Sequence, residues 1–179
     1  MNIFYLHHDP RTCAQHHVDK HCVKMILEYA QLLSTAHRVL DGTESIRLSA
    51  GGRKQKHFAL SDNRESVLYS ATHINHPSAI WVRQSSANYF WLFSLWDELM
   101  IEYTHRYGKV HATARLYDSL YSAPNNISHS NKFTEPTPAM PEHHIVAGDS
   151  IQSYHNYYIH DKARMAKWKN RLTPEGFTT

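Results

Sequence analysis

The residues best suited to chemistry form a polar stripe along the segment Thr12 to Leu40. A helix turns about 100° per residue, so one long helix here would place the stripe within one narrow arc. The stripe comprises His17, His21, Lys24, Glu28, Gln31 and Thr35, with Lys20 and Arg38 at its edge. Most of the remaining helix surface is apolar. Burying ionisable groups there costs free energy unless they pair or take part in chemistry, so the stripe is the first candidate site.

An amine and a carboxylate one turn apart indicate chemistry at a sugar. Lys20 and Lys24 are four residues apart, and we expect burial and like charge to lower a lysine pKa toward the range of a nucleophile. Glu28 lies one turn beyond Lys24 and could hold that amine or act as a general acid/base at a glycosidic carbon. A simple salt bridge, or a polar layer packed against other helices, is the structural alternative.

Metal binding is a second interpretation of the stripe. His17 and His21 have the one-turn spacing of helix-borne zinc sites, and Asp19 or Glu28 could add an oxygen ligand. The HExxH pattern lacks its glutamate, and with 16 histidines in the chain one pair carries little information. We therefore expect no cofactor, and His17, His21 and Asp19 remain the alternative ligands of a metal-dependent phosphodiesterase.

Candidate substrate-binding residues extend from the stripe to the other predicted elements. They include the histidine-proline turn, the margin of the second long helix and a C-terminal tail rich in tyrosine, lysine and arginine, which suits stacking on bases and contact with phosphates. A basic amphipathic helix is the structural alternative for the tail. The candidates are His17, Gln31, Asn75, His76, Arg83, Asn88, Arg106, Lys162 and Trp168.

The elements that must position these residues are predicted to be helices. Asp9 and Pro10 should start the first one, with Thr12 as a competing cap, and Asp41-Gly42 should end it with a left-handed residue. Helices are predicted over 12–40, 65–72, 81–108 with a break near Ser85, 109–121 and 150–171. Between them we expect a flexible basic loop at about 43–60 and a proline-rich connection at about 122–147. Met1 to Leu6 should form a short strand or a buried arm.

Composition bounds the class of protein. A chain of 179 residues can form one compact domain, and the pattern predicts a mainly α single helical domain over 1–179. A net charge of +3, rising as histidines titrate, suits a polyanionic partner. The sequence has two cysteines, and we find in it no signal peptide and no apolar stretch of membrane-spanning length. These features predict a soluble, cytoplasmic protein with no membrane partner.

Several segments carry a family resemblance. DKHCVKMILEYAQLLSTAHRVLDG, NHPSAIWVRQSSANYFWLFSLWDELMIEYTHRYGKVH and YYIHDKARMAKWKNRLTPE resemble a group of mostly uncharacterised bacteriophage proteins. More distantly, the chain resembles the phage pyrimidine-dimer DNA glycosylase (endonuclease V) family. That likeness consists of a short N-terminal arm, a first helix with a histidine and charged cluster, an HP turn, and a long helix with a glutamate and RYG at its end.

The resemblance implies a compact helical fold and a DNA glycosylase-like hydrolase or lyase of DNA repair or modification. In that family the N-terminal amine forms a Schiff base with the sugar, a first-helix glutamate assists, and a base is flipped out of the duplex. Carried over, Glu28 is the helix glutamate and Asp19 its competitor. Since Asn2 follows Met1, we expect Met1 to be retained, so its amine or Lys24 would be the nucleophile.

The expected function is therefore cleavage of the N-glycosidic bond of a nucleobase in DNA or in a nucleotide. The expected location is the host cell cytoplasm if the protein is phage-encoded. The alternative from another class is a non-catalytic protein of counter-defence type that binds a nucleotide, a nucleic acid or a host factor through the same polar pocket.

Overall fold

A computed structural model describes residues 1–49 and 51–177, and over these residues the fold is mainly α-helical. The α-helices are α1 Pro10–His16, α2 Asp19–Asp41, α3 Arg64–Val67, α4 Pro77–Val82, α5 Ser86–Tyr107, α6 Tyr117–Leu120 and α7 Ser150–Asp161. A two-stranded antiparallel hairpin consists of β1 Thr43–Leu48 and β2 Lys54–Ala59, and 3-10 turns cover Ala112–Leu116, Glu142–His144 and Ala163–Met165. None of the helices in these ranges is both long and apolar enough to cross a bilayer.

The single helix expected from Thr12 to Leu40 is divided into α1 and α2. Asp9 caps α1 as predicted, its carboxylate accepting from the Thr12 amide at 2.8 Å. His17 and Val18 are extended, with ψ of 128° and 155°, so α2 starts afresh at Asp19. The buried Arg106 guanidinium stabilises this junction, because it donates to the carbonyl of His17 at 2.8 Å and to that of Gln15 at 2.9 Å. The sequence pattern could not show this break, since α1 and α2 are both amphipathic.

The core lies between α2 and α5, and α1 packs against α5 as well. Apolar positions at helical spacing on both helices are fully buried, and Trp81 of α4 closes one side. Met1 to Leu6 packs into this core as an arm without regular secondary structure, buried from Ile3 to Leu6 and partly buried at Met1 and Asn2. Of the two expected forms of this segment, the buried arm is therefore the observed one.

Other elements differ from the sequence-based expectation. The predicted flexible loop at 43–60 contains the hairpin, whose first strand is exposed at every position. Gly42 has φ of −87°, so α2 does not end in a left-handed residue, and a Cβ there would overlap the carbonyl oxygen of Arg38. The predicted helix at 109–121 is a 3-10 turn followed by the four-residue α6. The last helix ends at Asp161 rather than Arg171.

Two features of the connections follow the prediction. Ser85 caps α5 and marks the expected break, accepting from the Asn88 amide at 3.2 Å. The segment from 122 to 147 is irregular apart from the turn Glu142–His144, as its prolines predict.

Candidate functional site

One cleft brings together the α-amine of Met1 and the carboxylate of Glu28. The amine nitrogen lies 4.0 Å from Glu28 Oε2, and the two side chains are only 5% and 14% exposed. The cleft has a volume of about 180 Å³. Its lining residues are Met1, Asn2, Phe4, His21, Lys24, Met25, Glu28, Tyr157 and Lys162.

The buried arm fixes the position of the amine. Phe4 stacks on His21 with ring centroids 4.2 Å apart, and its amide donates to the Tyr29 hydroxyl at 3.1 Å. The Asn2 side-chain amide donates to the carbonyl of Ala139 at 2.7 Å. These contacts on both sides of the chain hold the first residue against α2, so little ordering entropy is lost when a ligand binds beside it.

Glu28 lies between two cations. Lys24 Nζ is 3.1 Å from Glu28 Oε1, one helical turn away, and the Met1 amine approaches the other oxygen. The Lys24 side chain is 70% exposed, so the expected burial of this lysine is wrong. Lys20 is exposed as well. The other amine beside Glu28 is the α-amine of Met1, whose side chain is 5% exposed.

Two histidines flank the pair. The Nδ1 atom of buried His21 is 2.6 Å from the Tyr158 hydroxyl, and burial followed by the charges of Lys162 and Lys24 lowers its pKa to about 4. His76 caps α4, its Nδ1 accepting from the Ser78 amide at 3.2 Å. Burial lowers the His76 pKa first, then the positive charge of the Met1 amine, while Glu28 opposes the shift. Both imidazoles are therefore neutral near pH 7.

The C-terminal part of the chain forms the other wall. Lys162 Nζ lies over the Tyr157 ring, 4.5 Å from its centroid, and both residues line the cleft. Lys162 was a predicted substrate-binding residue, whereas Tyr157, Phe4 and Asn2 were not. The interleaved tyrosines of the tail could have indicated Tyr157, but only the fold brings residues 150 positions apart to one wall.

Several predicted site residues have structural roles instead. Both His17 ring nitrogens are bonded internally: Nδ1 donates to the Cys13 carbonyl at 2.7 Å and Nε2 accepts from Tyr29 at 2.8 Å. Its pKa falls to about 3 because it is buried. Asp19 pairs with Arg106 at 3.0 Å and also accepts from the Lys169 amide at 2.9 Å. The competitor to Glu28 is therefore part of the fold's internal ion-pair network.

Three further candidates also have internal partners. Arg106 is 0% exposed in its side chain and pairs with Glu102 at 2.6 Å, and Glu102 also binds Arg171 at 2.8 Å. The indole of Trp168 donates to the His16 carbonyl at 3.0 Å and is buried. Asn88 is buried too, its amide donating to the Trp81 carbonyl at 3.1 Å. Arg106, Trp168 and Asn88 therefore have internal partners, and their role in substrate binding stays a prediction.

The other candidates lie outside the cleft lining. Gln31 is partly buried one turn beyond Glu28 on α2, and Asn75 is exposed in the turn before α4. The Arg83 guanidinium donates back to the Ala79 carbonyl at 2.9 Å at the end of α4. Of the predicted set, the structure therefore brings Glu28, Lys24, His21 and Lys162 to one cleft. His76 lies outside the lining, and the charges of the Met1 amine and of Glu28 act on its pKa.

The three residues of the alternative metal site have other partners in the structure. Both His17 nitrogens are hydrogen-bonded, Asp19 Oδ1 binds Arg106, and His21 Nδ1 is bonded to the Tyr158 hydroxyl. Over residues 1–49 and 51–177, the one group of three potential ligands whose atoms lie within 4.8 Å of one another is His143, His144 and Asp161. A metal-dependent phosphodiesterase built on the first helix therefore stays a prediction.

Two of the larger cavities show why volume alone does not locate the site. One of about 360 Å³ lies under the C-terminal segment and is lined mainly by apolar side chains such as Val18, Trp168 and Phe177. Another of the same volume is lined by Arg64 and His37, but Arg64 is fully paired with Asp41 and Asp62, at 2.7 Å each. We therefore place the candidate site in the smaller cleft, because an amine, a carboxylate and the neutral imidazole of His21 converge there.

Comparison of the chain with protein-family models, with curated proteins and with solved structures finds no match, so the functional assignment rests on the geometry of the cleft.

Proposed function

We propose that the protein is a glycosylase-like enzyme that cleaves the N-glycosidic bond of a nucleobase, with the Met1 amine as nucleophile and Glu28 as general acid/base. The observation that carries the proposal is the 4.0 Å approach of the Met1 α-amine to the carboxylate of Glu28, a side chain only 14% exposed, at the wall of a cleft. An amine next to a carboxylate that can accept its proton is the arrangement needed for imine formation at a sugar carbon.

Every proton transferred in the proposed reaction has a donor and an acceptor. Glu28 accepts one proton from the Met1 ammonium, and the free amine attacks C1′ of the sugar. The base leaves with the bonding electron pair and takes up a second amine proton. Glu28 then returns its proton to the ring oxygen O4′ as the C1′–O4′ bond breaks, and nitrogen and C1′ are left joined as the imine.

The cleft limits what can enter. Its volume of about 180 Å³ is below the roughly 300–1,000 Å³ of typical ligand pockets, so it takes a sugar or a base rather than a whole nucleotide. Lys24 and Lys162 flank the opening and supply positive charge for a phosphate. This favours a nucleotide unit within DNA, whose phosphates stay outside the cleft, as the substrate.

Borohydride trapping tests the proposal directly. The protein is incubated with ultraviolet-irradiated or base-modified duplex DNA in the presence of borohydride, which reduces an imine to a stable amine. We expect a covalent adduct, and peptide mass spectrometry should locate it on the peptide that begins with Met1. An adduct on Lys24 instead, or no adduct and no base release over the whole substrate panel, would contradict the assigned nucleophile.

Matched variants separate the roles of the two groups. Glu28→Gln should reduce base release at least about a hundredfold, because it removes the acid/base group. Glu44→Gln is the control, since Glu44 is an exposed carboxylate in the hairpin. Adding one residue before Met1 displaces the amine and should abolish the adduct, whereas Lys24→Ala should leave it in place.

A non-catalytic binding protein is the second candidate, and the exposed cations at the rim favour it. If the cleft only binds, Glu28→Gln should change affinity for DNA or nucleotide, and no product should form with the unaltered protein. In the proposed enzyme, the same variant should retain binding of a short duplex within about threefold while base release is lost.

A further inference from the structure

A second cluster of side chains lies behind the cleft wall. His143 and His144 come from the 3-10 turn Glu142–His144, and Asp161 is the last residue of α7. One ligand atom from each lies within 4.8 Å of the others. The two imidazole rings are 4.0 Å apart between centroids. Two neighbouring histidines on one turn and the last residue of a helix thus place their ligand atoms close together.

The His144 nitrogen at this point has no hydrogen-bond partner. His144 is 3% exposed, and its Nε2 atom lies 3.3 Å from Asp161 Oδ1 without the geometry of a hydrogen bond. A buried polar atom is normally satisfied, because leaving it unpaired costs free energy. A group that lies between Nε2 and the carboxylate would satisfy both atoms at once.

The spacing fits a transition metal. Ligands at about 2.0–2.1 Å from a tetrahedral zinc ion are about 3.3 Å apart, which is the separation of His144 Nε2 and Asp161 Oδ1. His143 is exposed, so its side chain can rotate to complete the third position. Two imidazoles and a carboxylate form a ligand set that zinc and similar divalent ions accept, with water in the fourth position.

We propose that His143, His144 and Asp161 bind one zinc-like divalent transition-metal ion, which fastens the turn at residues 142–144 to the end of α7. The site is independent of the proposed glycosidic chemistry. It borders the cleft, since the His144 ring is 5.4 Å from that of Tyr157, and Lys162 follows Asp161 directly. Bound metal would therefore stabilise the wall that carries Tyr157 and Lys162.

Calorimetric titration of the chelator-treated, desalted full chain with Zn²⁺ tests the site. We expect one ion per chain, and Co²⁺ in its place should give the strong visible absorption of a four-coordinate ion. His143→Ala and Asp161→Asn should each weaken Zn²⁺ binding by more than about tenfold. Both residues are exposed, so these variants should keep the fold, which circular dichroism checks. His129→Ala, at another exposed histidine, is the control and should bind as the unaltered chain does.

Thermal unfolding gives a second measurement that does not depend on activity. Zn²⁺ should raise the Tm of the unaltered chain and of His129→Ala, but not that of the two ligand variants, because only a bound native state is stabilised. Failure of the unaltered chain to take up one equivalent, or equal binding by the ligand variants, would overturn the proposal.

Discussion

Lowering the pH from 7.5 to 5.5 should destabilise this protein strongly, and buried histidines are the reason. His17, His21 and His37 are 0%, 7% and 1% exposed. Burial is the largest cause that lowers their pKa values from 6.5, to about 3 for His17 and to about 4 for the other two. In the unfolded chain all three take up protons as the pH falls below 6.5, while the folded chain keeps them neutral.

The sign and size follow from this difference in proton uptake. Above pH 6.5 these histidines do not reduce the free energy of unfolding. As the pH falls from 6.5 toward 4 that free energy decreases, because the unfolded state binds more protons than the folded state throughout that window. At pH 5.5 each histidine should lower the free energy of unfolding by about 1.4 kcal/mol, or about 4 kcal/mol for the three together. A domain of this size is stable by only about 5–15 kcal/mol, so the loss should be easy to measure.

Urea unfolding followed by tryptophan fluorescence measures the effect, since Trp81, Trp96 and Trp168 are buried. A loss below about 1 kcal/mol between the two pH values would refute the reasoning. In His37→Gln the pH-dependent loss should shrink by about 1.4 kcal/mol, whatever the change in stability at pH 7.5. The exposed control His129→Gln should show the full loss.

Three further predictions concern the packing. Glu102→Gln removes a carboxylate that is 2% exposed from its arginine partners. The free energy of unfolding measured in urea melts should fall by about 3–5 kcal/mol. A decrease under about 1 kcal/mol would contradict a buried network. Cys13 and Cys22 are buried with pKa values raised to about 12, so a thiol reagent at pH 8 should label them only in denaturant, and rapid native labelling would argue against this. Gly42→Ala should destabilise by about 1–3 kcal/mol through overlap with the Arg38 carbonyl, and an unchanged Tm would show that the backbone relaxes there.

The helical part of the fold was accessible from local sequence signals. Asp9-Pro10 and Ser85 mark helix starts by capping chemistry that depends only on neighbouring residues. The break at His17 and Val18 was not accessible, because it is stabilised by Arg106, some 90 positions away. The hairpin at residues 43–59 was missed since its strands are mostly exposed and carry no clear alternation.

The candidate site was accessible only in part. Spacing on one helix correctly placed Lys24 and Glu28 together, and it put His21 on the same side. The same reasoning gave His17 and Asp19 a role in chemistry. The break in the helix between α1 and α2 instead directs both side chains toward structural partners. Helical spacing states which side chains share a face, but it does not state which face meets solvent or which distant segment covers it.

The contacts of the N-terminal region are made between distant parts of the described sequence. His21 is bonded to Tyr158, the Leu6 carbonyl to His155 and the His16 carbonyl to Trp168, at separations of 137, 149 and 152 positions. Such contacts must close a long loop before they contribute free energy, which slows folding. Until α7 has packed, Phe4 lacks the tyrosine rings that cover it, so a partly folded chain without α7 exposes apolar surface and is prone to aggregate.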